Sequence, residues 1–396
     1  MKDRYFWIIL VIVILIPILI VSLFVTFGGV YAQSAELFVG VDAAYDNLPE
    51  IKLFVDEVSS YTNTIILGST GITHNFTKLN EACQYIYDKG MYFMIYAHPI
   101  YDPEELLVQC EWIVDAKPRW GDKFLGLYAF DEPGGRQLDN ATWKVLLDEY
   151  WFADNYTDAA DKYVNELTLI INHAIDDQMC GVDLPLFTSD YALYWFDYKS
   201  EYDAVFAEFG WNYSRQLNVA LCRGAANVQN KEWGAILTWT YTQWPYLESG
   251  SELYNDMVLA YENGAKYIIV FDSNKNYTHS ILDKDEQGNY QAQGHYEAFK
   301  QFWQYVEDNP RSSDPIRNRV AYVLPEGYGY GFRGPDDKIW GLWEADEFSL
   351  EISTELGSLL DRYQNRLDII YDDGLEAGNS YGYSRLIFWN GTVWVP

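Results

Sequence analysis

The sequence predicts an α/β protein built on a (β/α)8 TIM barrel, with a small α/β domain appended at its C-terminal end and an apolar helix at its N-terminal end. Three observations carry that prediction. Between residues 36 and 272, eight short β-rich apolar runs alternate with amphipathic helical stretches. The runs show little strict polar–apolar alternation, as parallel strands buried on both faces require. They end in polar or acidic residues, and in such barrels the functional groups stand at the C-terminal ends of strands.

In order, the runs are Glu36–Asp42, Thr64–Gly68, Met91–Ala97, Phe124–Asp131, Leu184–Ser189, Asp203–Glu208, Gly234–Thr240 and Lys266–Asp272. Helical stretches include Leu48–Tyr61, Asn75–Lys89, Pro103–Ala116, Thr142–Ala174 and Leu253–Asn263, and Tyr296–Glu307 closes the series. Gly90 and Gly264 sit at helix ends directly before strands, the place of a left-handed C-terminal cap. The short gap between the fifth and sixth runs leaves room for one short helix. The barrel is placed at 36–310, a Pro-containing linker at Arg311–Pro315, and the small domain at 318–396. That domain reads as strand Val320–Leu324, helix Phe348–Tyr363 and strands Leu367–Tyr371 and Ser384–Trp389. A doubly wound open sheet is the competing architecture. After the first strand it would need a Gly-rich phosphate loop, where Val41-Asp42-Ala43-Ala44 stands, so no dinucleotide cofactor is expected.

Residues 1–5 read as a cytoplasmic tip and 6–27 as a transmembrane helix or signal anchor. The run is uncharged and 22 residues long, about 33 Å as a helix, enough to cross a bilayer. Lys2 and Arg4 before it leave the N-terminus inside and the body outside. Signal cleavage after Val30-Tyr31-Ala32 is the alternative and would secrete the chain. Either route exports the body, to the cell surface or beyond. Six Asn-X-Ser/Thr triplets, at Asn75, Asn140, Asn155, Asn212, Asn276 and Asn390, are acceptors for N-linked glycans in an exported chain. Four widely spaced cysteines lack zinc-type spacing. The pairing expected is Cys83–Cys110 with Cys180–Cys222, against four buried thiols.

The 396 residues carry 27 Lys+Arg against 58 Asp+Glu, a net charge of −31. Nucleic acid would be repelled over most of such a surface, so no nucleic-acid partner is expected. Hydrophobic residues make up 49% and aromatics 17%, which excludes a disordered chain. Excess Trp and Tyr offers flat faces on which sugar rings stack, which makes a carbohydrate the expected partner. Core filling accounts for most aromatics in the competing view.

Strand ends give an acidic, aromatic set. They hold Asp42, then His98, then Asp131-Glu132-Pro133-Gly134-Gly135, then Asp190-Tyr191 with Trp195 beyond. Glu208 with Trp211, Trp239-Thr240-Tyr241 with Trp244, and Asp272 complete it. Paired carboxyls ringed by aromatics are what glycoside hydrolysis needs: one protonates the leaving oxygen, the other attacks carbon or activates water. Glu132, Glu208 and Asp131 are the catalytic candidates. Asp42, His98, Asp190, Tyr191, Trp211, Trp239, Tyr241 and Asp272 are the substrate-binding candidates. No metal is expected. Strand alternation predicts that only one of Asp131 and Glu132 lines the pocket. The Gly327–Gly334 segment reads as an aromatic loop leaning over the barrel mouth.

Gly126-Leu127-Tyr128-Ala129-Phe130-Asp131-Glu132-Pro133 resembles the fourth-strand motif of the clan of retaining (β/α)8 glycoside hydrolases. That clan has Asn-Glu-Pro here, its Glu being the acid/base, so the resemblance gives Glu132 that role and puts Asp131 in place of the Asn. The clan's nucleophile is a Glu at the seventh strand end, where this chain has Trp239-Thr240. Glu208 is then the partner, or the pair is Glu132 with Asp272 or Asp131 with Glu208, or the site is not catalytic and the chain is a glycan-binding or cell-envelope structural protein. The resemblance spans 36–310 as architecture and eight residues as motif. The segments Ala321–Pro325 and Leu367–Tyr371 resemble a truncated form of the flavodoxin-like layer that follows the barrel in some galactosidase-type enzymes.

Overall fold

The structure, a computed structural model, describes residues 37–44, 47–139, 144–146, 153–175, 180–210, 213–238, 249–272, 284–289, 293–311, 318–374 and 380–396. Eight parallel strands close into a barrel in sequence order. They are β1 (Phe38–Ala43), β2 (Thr64–Leu67), β3 (Tyr92–Ala97), β4 (Phe124–Ala129), β5 (Leu186–Asp190), β6 (Ala204–Phe209), β7 (Glu232–Thr238) and β8 (Tyr267–Asp272). Closure is direct: Phe38 to Ala43 of β1 pair in register with Tyr267 to Asp272 of β8.

The barrel interior is filled by Phe38, Ile66, Met94, Tyr128, Phe187, Phe206, Ile236, Tyr267 and Ile269. Phe38 stacks on Tyr267 at 5.1 Å and Phe187 meets Tyr267 edge-on at 5.3 Å. Much of the aromatic excess is therefore core, where each ring removes a large apolar area from water. Inward positions recur every second residue along a strand. That parity continues the interior upward into Asp42, Tyr96, Ser189 and Glu208.

The helices are α1 (Leu48–Val58), α2 (Thr70–Thr73), α3 (Phe76–Asp88), α4 (Pro103–Trp120), α5 (Pro133–Leu138), α6 (Tyr156–Asn172), α7 (Tyr194–Lys199), α8 (Arg215–Val228), α9 (Gly250–Glu262), α10 (Gln293–Asp308) and α11 (Glu347–Tyr363). Three of them end alike before a strand. Gly90 has φ +76°, its N–H donating to Tyr87 O while Met91 N–H reaches Ile86 O. Gly264 (φ +95°) with Ala265, and Asn230 (φ +54°) with Lys231, repeat the pattern. Each satisfies carbonyls that the helix end leaves open. The expected helix from Thr142 is corrected: residues 144–146 are not helical, and α6 starts after Asn155, whose side chain accepts from Asp158 N–H. The six-residue α7 is the short helix foreseen between β5 and β6.

A second, four-stranded sheet has the order β10-β9-β11-β12, from β9 (Val320–Leu324), β10 (Leu367–Tyr371), β11 (Arg385–Phe388) and β12 (Val393–Trp394). It packs on the barrel's α8, within one compact unit spanning Phe38–Pro396. A Cβ on Gly224 of α8 would stand 2.3 Å from Ile369 O of β10, so only glycine permits this approach. Beside it Arg223, 1% exposed, donates to Asp368 Oδ1 (2.6 Å) and to the carbonyls of Asn365 and Leu367. Tyr383 donates to Asp368 Oδ2 at 2.9 Å, so the buried ion pair has all its partners.

The disulfide expectation is corrected. Cys110 is bonded to Cys180, and Cys83 and Cys222 are free and buried. Cys222 Sγ faces β6, 3.4 Å from Val205 O, and Cys83 sits on the inner face of α3. Burial pushes both thiols up, as for structural cysteines. Among the described residues no helix is long and apolar enough to cross a membrane; the 6–27 run lies outside them. Asn75, Asn155 and Asn390 are exposed, while Asn140, Asn212 and Asn276 lie outside the described residues.

Candidate active site

The site grows from the corner between β4 and α5. The strand ends at Ala129, and Phe130 (φ +50°) and Glu132 (φ +54°) both take the left-handed conformation. Each such non-glycine residue costs about 1–2 kcal/mol. The surroundings hold the corner in place. Tyr202 Oη donates to Ala129 O (2.9 Å), Thr188 Oγ1 to Phe130 O (2.8 Å), and Glu132 N–H to Ser189 O (3.0 Å). Strand alternation does not govern the two acids, since neither Asp131 nor Glu132 belongs to the strand. Both approach Arg136 of α5, at 3.8 Å and 3.7 Å.

Asp131 is joined to Glu208 through hydroxyls. Tyr128 Oη donates to Asp131 Oδ1 at 2.5 Å and lies 2.7 Å from Ser189 Oγ. Ser189 Oγ lies 3.0 Å from Asp131 Oδ1 and 2.8 Å from Glu208 Oε1. Glu208, 5% exposed at the top of β6, is pushed well above the carboxylate range by burial and then by the charges of Glu132 and Asp131. Glu132, its side chain 32% exposed, is pushed up to about 8 by desolvation, then by Asp131 and Asp190, with Arg136 opposing. Glu132 thus keeps its proton to about pH 8 and burial favours the neutral form of Glu208, beside a third carboxyl that accepts from a tyrosine.

The other candidates divide. Asp42 is buried on β1 with Oδ1 occupying the space a Cβ on Gly68 would need, 2.1 Å away. It acts electrostatically on Tyr96 and Tyr128, so it belongs to the mouth. His98 is exposed beyond β3, 5.4 Å from His74 and 6.4 Å from Tyr96, and its pKa is lowered by partial desolvation and then by His74. Tyr191 donates to Asp139 (2.7 Å), lies flat on Gly135 and stacks on Tyr213 at 6.2 Å. Asp190 is different. It is fully buried, and its carboxylate accepts from the N–H groups of Gly134 (2.5 Å), Gly135 (2.8 Å), Tyr191 (2.7 Å) and Ala192 (3.1 Å). Backbone donors reach both its oxygens in a fully buried position, so it fixes the start of α5. Trp195 likewise leaves the cleft: it is buried against Tyr371, 5.4 Å away, and its indole donates to Asp373. Trp211, Trp239, Tyr241 and Trp244 lie outside the described residues, as does the side chain of Asp272.

Ser189 and Tyr128 were not among the sequence candidates. Both sit inside apolar strands, where a hydroxyl reads as strand filler. Counting inward positions from Phe187 and from the barrel core would have found them. The Gly327–Gly334 loop rests on α5. Arg333 pairs with Asp139 and with Asp337 (2.7 Å), and Gln137 Nε2 donates to Trp340 O (2.8 Å). Among the described residues no group of three His, Cys, Asp or Glu side chains is set to hold a metal.

No family model and no curated protein matches the chain. Solved structures of similar shape include a module of a pneumococcal exo-β-D-N-acetylglucosaminidase, 11% identical over 71% of this chain and 85% of that one, with a TM-score of 0.42. A psychrophilic family 10 endo-β-1,4-xylanase matches at 10% identity over 67% and 96%, TM-score 0.43. A 3-keto-L-gulonate-6-phosphate decarboxylase from Vibrio cholerae matches at 10% over 68% and 99%, TM-score 0.35. At such scores the likenesses carry no argument: the barrel rests on its own strand pairing, and the chemistry on its own side chains.

Proposed function

We propose that the chain is a carbohydrate-directed glycoside hydrolase. Glu132 is the general acid, and Glu208, linked to Asp131, is the nucleophile or base. The observation that carries this reading is the grouping of three carboxyls at one barrel mouth with unlike surroundings. Glu132 keeps its proton to about pH 8, while Asp131 and Glu208 meet through Ser189. Cleavage of an acetal demands one carboxyl in each role, a proton donor and an acceptor. Arg136 stands near both Asp131 and Glu132 and limits the charge that gathers there. In this reading Tyr191, Tyr213, Asp42 and His98 meet sugar hydroxyls and ring faces.

Hydrolysis of a glycan panel by wild type and Glu132→Gln tests the reading. Loss of kcat by about 10²–10⁴ is expected, with binding retained. Turnover untouched by the substitution removes Glu132 as the acid. Binding without turnover in wild type establishes the non-catalytic alternative, which the Trp239-Thr240 of the sequence favours.

The export reading is part of the same proposal. The 6–27 run anchors or secretes the body, and the exposed Asn75, Asn155 and Asn390 are its glycan acceptors. A mass shift on N-glycosidase treatment, and fractionation with membranes after alkaline extraction, test these two points.

A further inference from the structure

We propose that the Ser189 hydroxyl is a proton relay through which Asp131 and Glu208 share one proton and act as a single base. Four oxygens form four short contacts: Tyr128–Asp131 at 2.5 Å, Tyr128–Ser189 at 2.7 Å, Ser189–Glu208 at 2.8 Å and Ser189–Asp131 at 3.0 Å. Two hydroxyls supply two hydrogens. With both carboxyls ionised, Tyr128 serves Asp131, and Ser189 has one hydrogen for two carboxylates. One added proton gives three hydrogens and serves every contact that a carboxyl makes, leaving only the Tyr128–Ser189 contact without one. Glu208 then donates to Ser189 Oγ, Ser189 donates to Asp131, and Tyr128 donates to Asp131.

That chain is also a path. The O–H bond of Glu208 breaks as one forms on Ser189 Oγ, while the Ser189 O–H breaks as one forms on Asp131 Oδ1. Serine stays neutral throughout, Glu208 becomes the carboxylate and Asp131 the acid. The relay thus frees a buried carboxyl for attack or for water activation without bringing solvent to it. An amide at 131 could not receive the proton.

The titratable groups that act on the pair are Tyr128 and Glu132 from the β4 side, Tyr96 from β3, Asp190 from β5, Tyr194 from α7 and Tyr202 before β6. Tyr213 stands beyond β6, and Arg136 is the nearby cation. Ile236 of β7, paired in register with Glu208, is apolar.

The relay deepens the hydrolase reading and depends on it for its purpose, but its test needs no substrate. In the full chain with carboxyl-labelled glutamate, infrared difference against Glu208→Gln follows the Glu208 titration. Its midpoint is compared in wild type, Asp131→Asn, Ser189→Ala and the double variant. With Ser189 present, Asp131→Asn is expected to lower the midpoint by about one unit or more. Without the hydroxyl the same change is expected to have less than half that effect. Ser189→Thr, which restores a hydroxyl, restores the coupling, and Tyr128→Phe, off the path, leaves it. An equal effect of Asp131→Asn in both backgrounds means repulsion through space and overturns the relay, as does loss of coupling in Tyr128→Phe. If Ser189→Ala does not fold, Ser189→Gly serves with the same two outcomes. Either result leaves the Glu132→Gln hydrolysis test independent.

Discussion

Glu132 is a carboxyl with one friend and several opponents. Desolvation, Asp131, Asp190 and Asp139 favour its neutral form, and Arg136 alone favours its charge. A general acid works while protonated, so turnover should fall as pH rises through about 8. Arg136→Met removes the opposing charge, so the alkaline limb should move to higher pH, and Glu132→Gln should abolish it. A pH–rate profile of the three proteins checks this; a limb that ignores Arg136 would assign it to another group. The Asp131-Glu132-Pro133 run was legible in the sequence, because acids and a proline interrupt an apolar strand. Asp190 was misread for a physical reason. Parity along β5 turns Ser189 inward and Asp190 outward, and an acid at a strand end looks the same in sequence whichever way it points.

The corner between β4 and α5 works as one element. Asp190 anchors the N–H groups of Gly134 and Gly135, and the β5–α7 turn lies directly on them. A Cβ at Gly134 would stand 2.5 Å from Ala192 O, a backbone atom that cannot swing aside. Gly134→Ala should therefore cost about 1–3 kcal/mol through overpacking. Asp190→Asn should cost a similar amount, about 1–3 kcal/mol, by setting an amide NH₂ against the buried Gly134 N–H that now donates to Oδ2. Urea unfolding measures both, and a neutral Gly134→Ala would show that the corner yields. At this scale the sequence read well: every barrel strand lies within two residues of its expected bounds. Short apolar runs between capped helices leave little choice. Helix α8 was the omission, since Asn218 and Arg223 on its buried face break the apolar periodicity that marks a helix. The run before Asn155 misled in the opposite direction, being helical in composition while the cap places the start later.

For the whole molecule, two expectations follow from how the chain is tied and charged. The Cys110–Cys180 bond closes 70 residues of sequence separation, so reduction should lower stability by about 2–4 kcal/mol. Thiol titration of the unreduced, denatured protein should find two free cysteines; none would restore the pairing expected from sequence. Sequence order could not show this, because wrapping α3, α4 and α8 around a barrel decides which thiols meet. The second expectation concerns pH. In the folded chain Glu132 titrates at about 8 and Asp190 at about 7, against ordinary values of 4.5 and 3.8, and burial pushes Glu208 and Asp197 well up too. Between about pH 4 and 8 the native state therefore binds more protons than the unfolded chain, and linkage makes stability fall as pH rises through that window. The contribution is complete below the ordinary carboxyl values and is lost above about 8. Among the described residues Asp56, Asp158, Glu252 and Asp285 shift the other way, but they lie at the surface, where such pairings contribute little. Self-repulsion in a chain of net charge −31 acts in the same direction as the buried acids. Thermal unfolding at constant ionic strength should give the highest Tm near pH 5 and a decline toward pH 8. Glu208→Gln, neutral at every pH, should flatten that decline. A Tm that climbs from pH 5 to 8 would mean that the native state holds these carboxyls ionised, and the division of the site into proton donor and acceptor would fail with it.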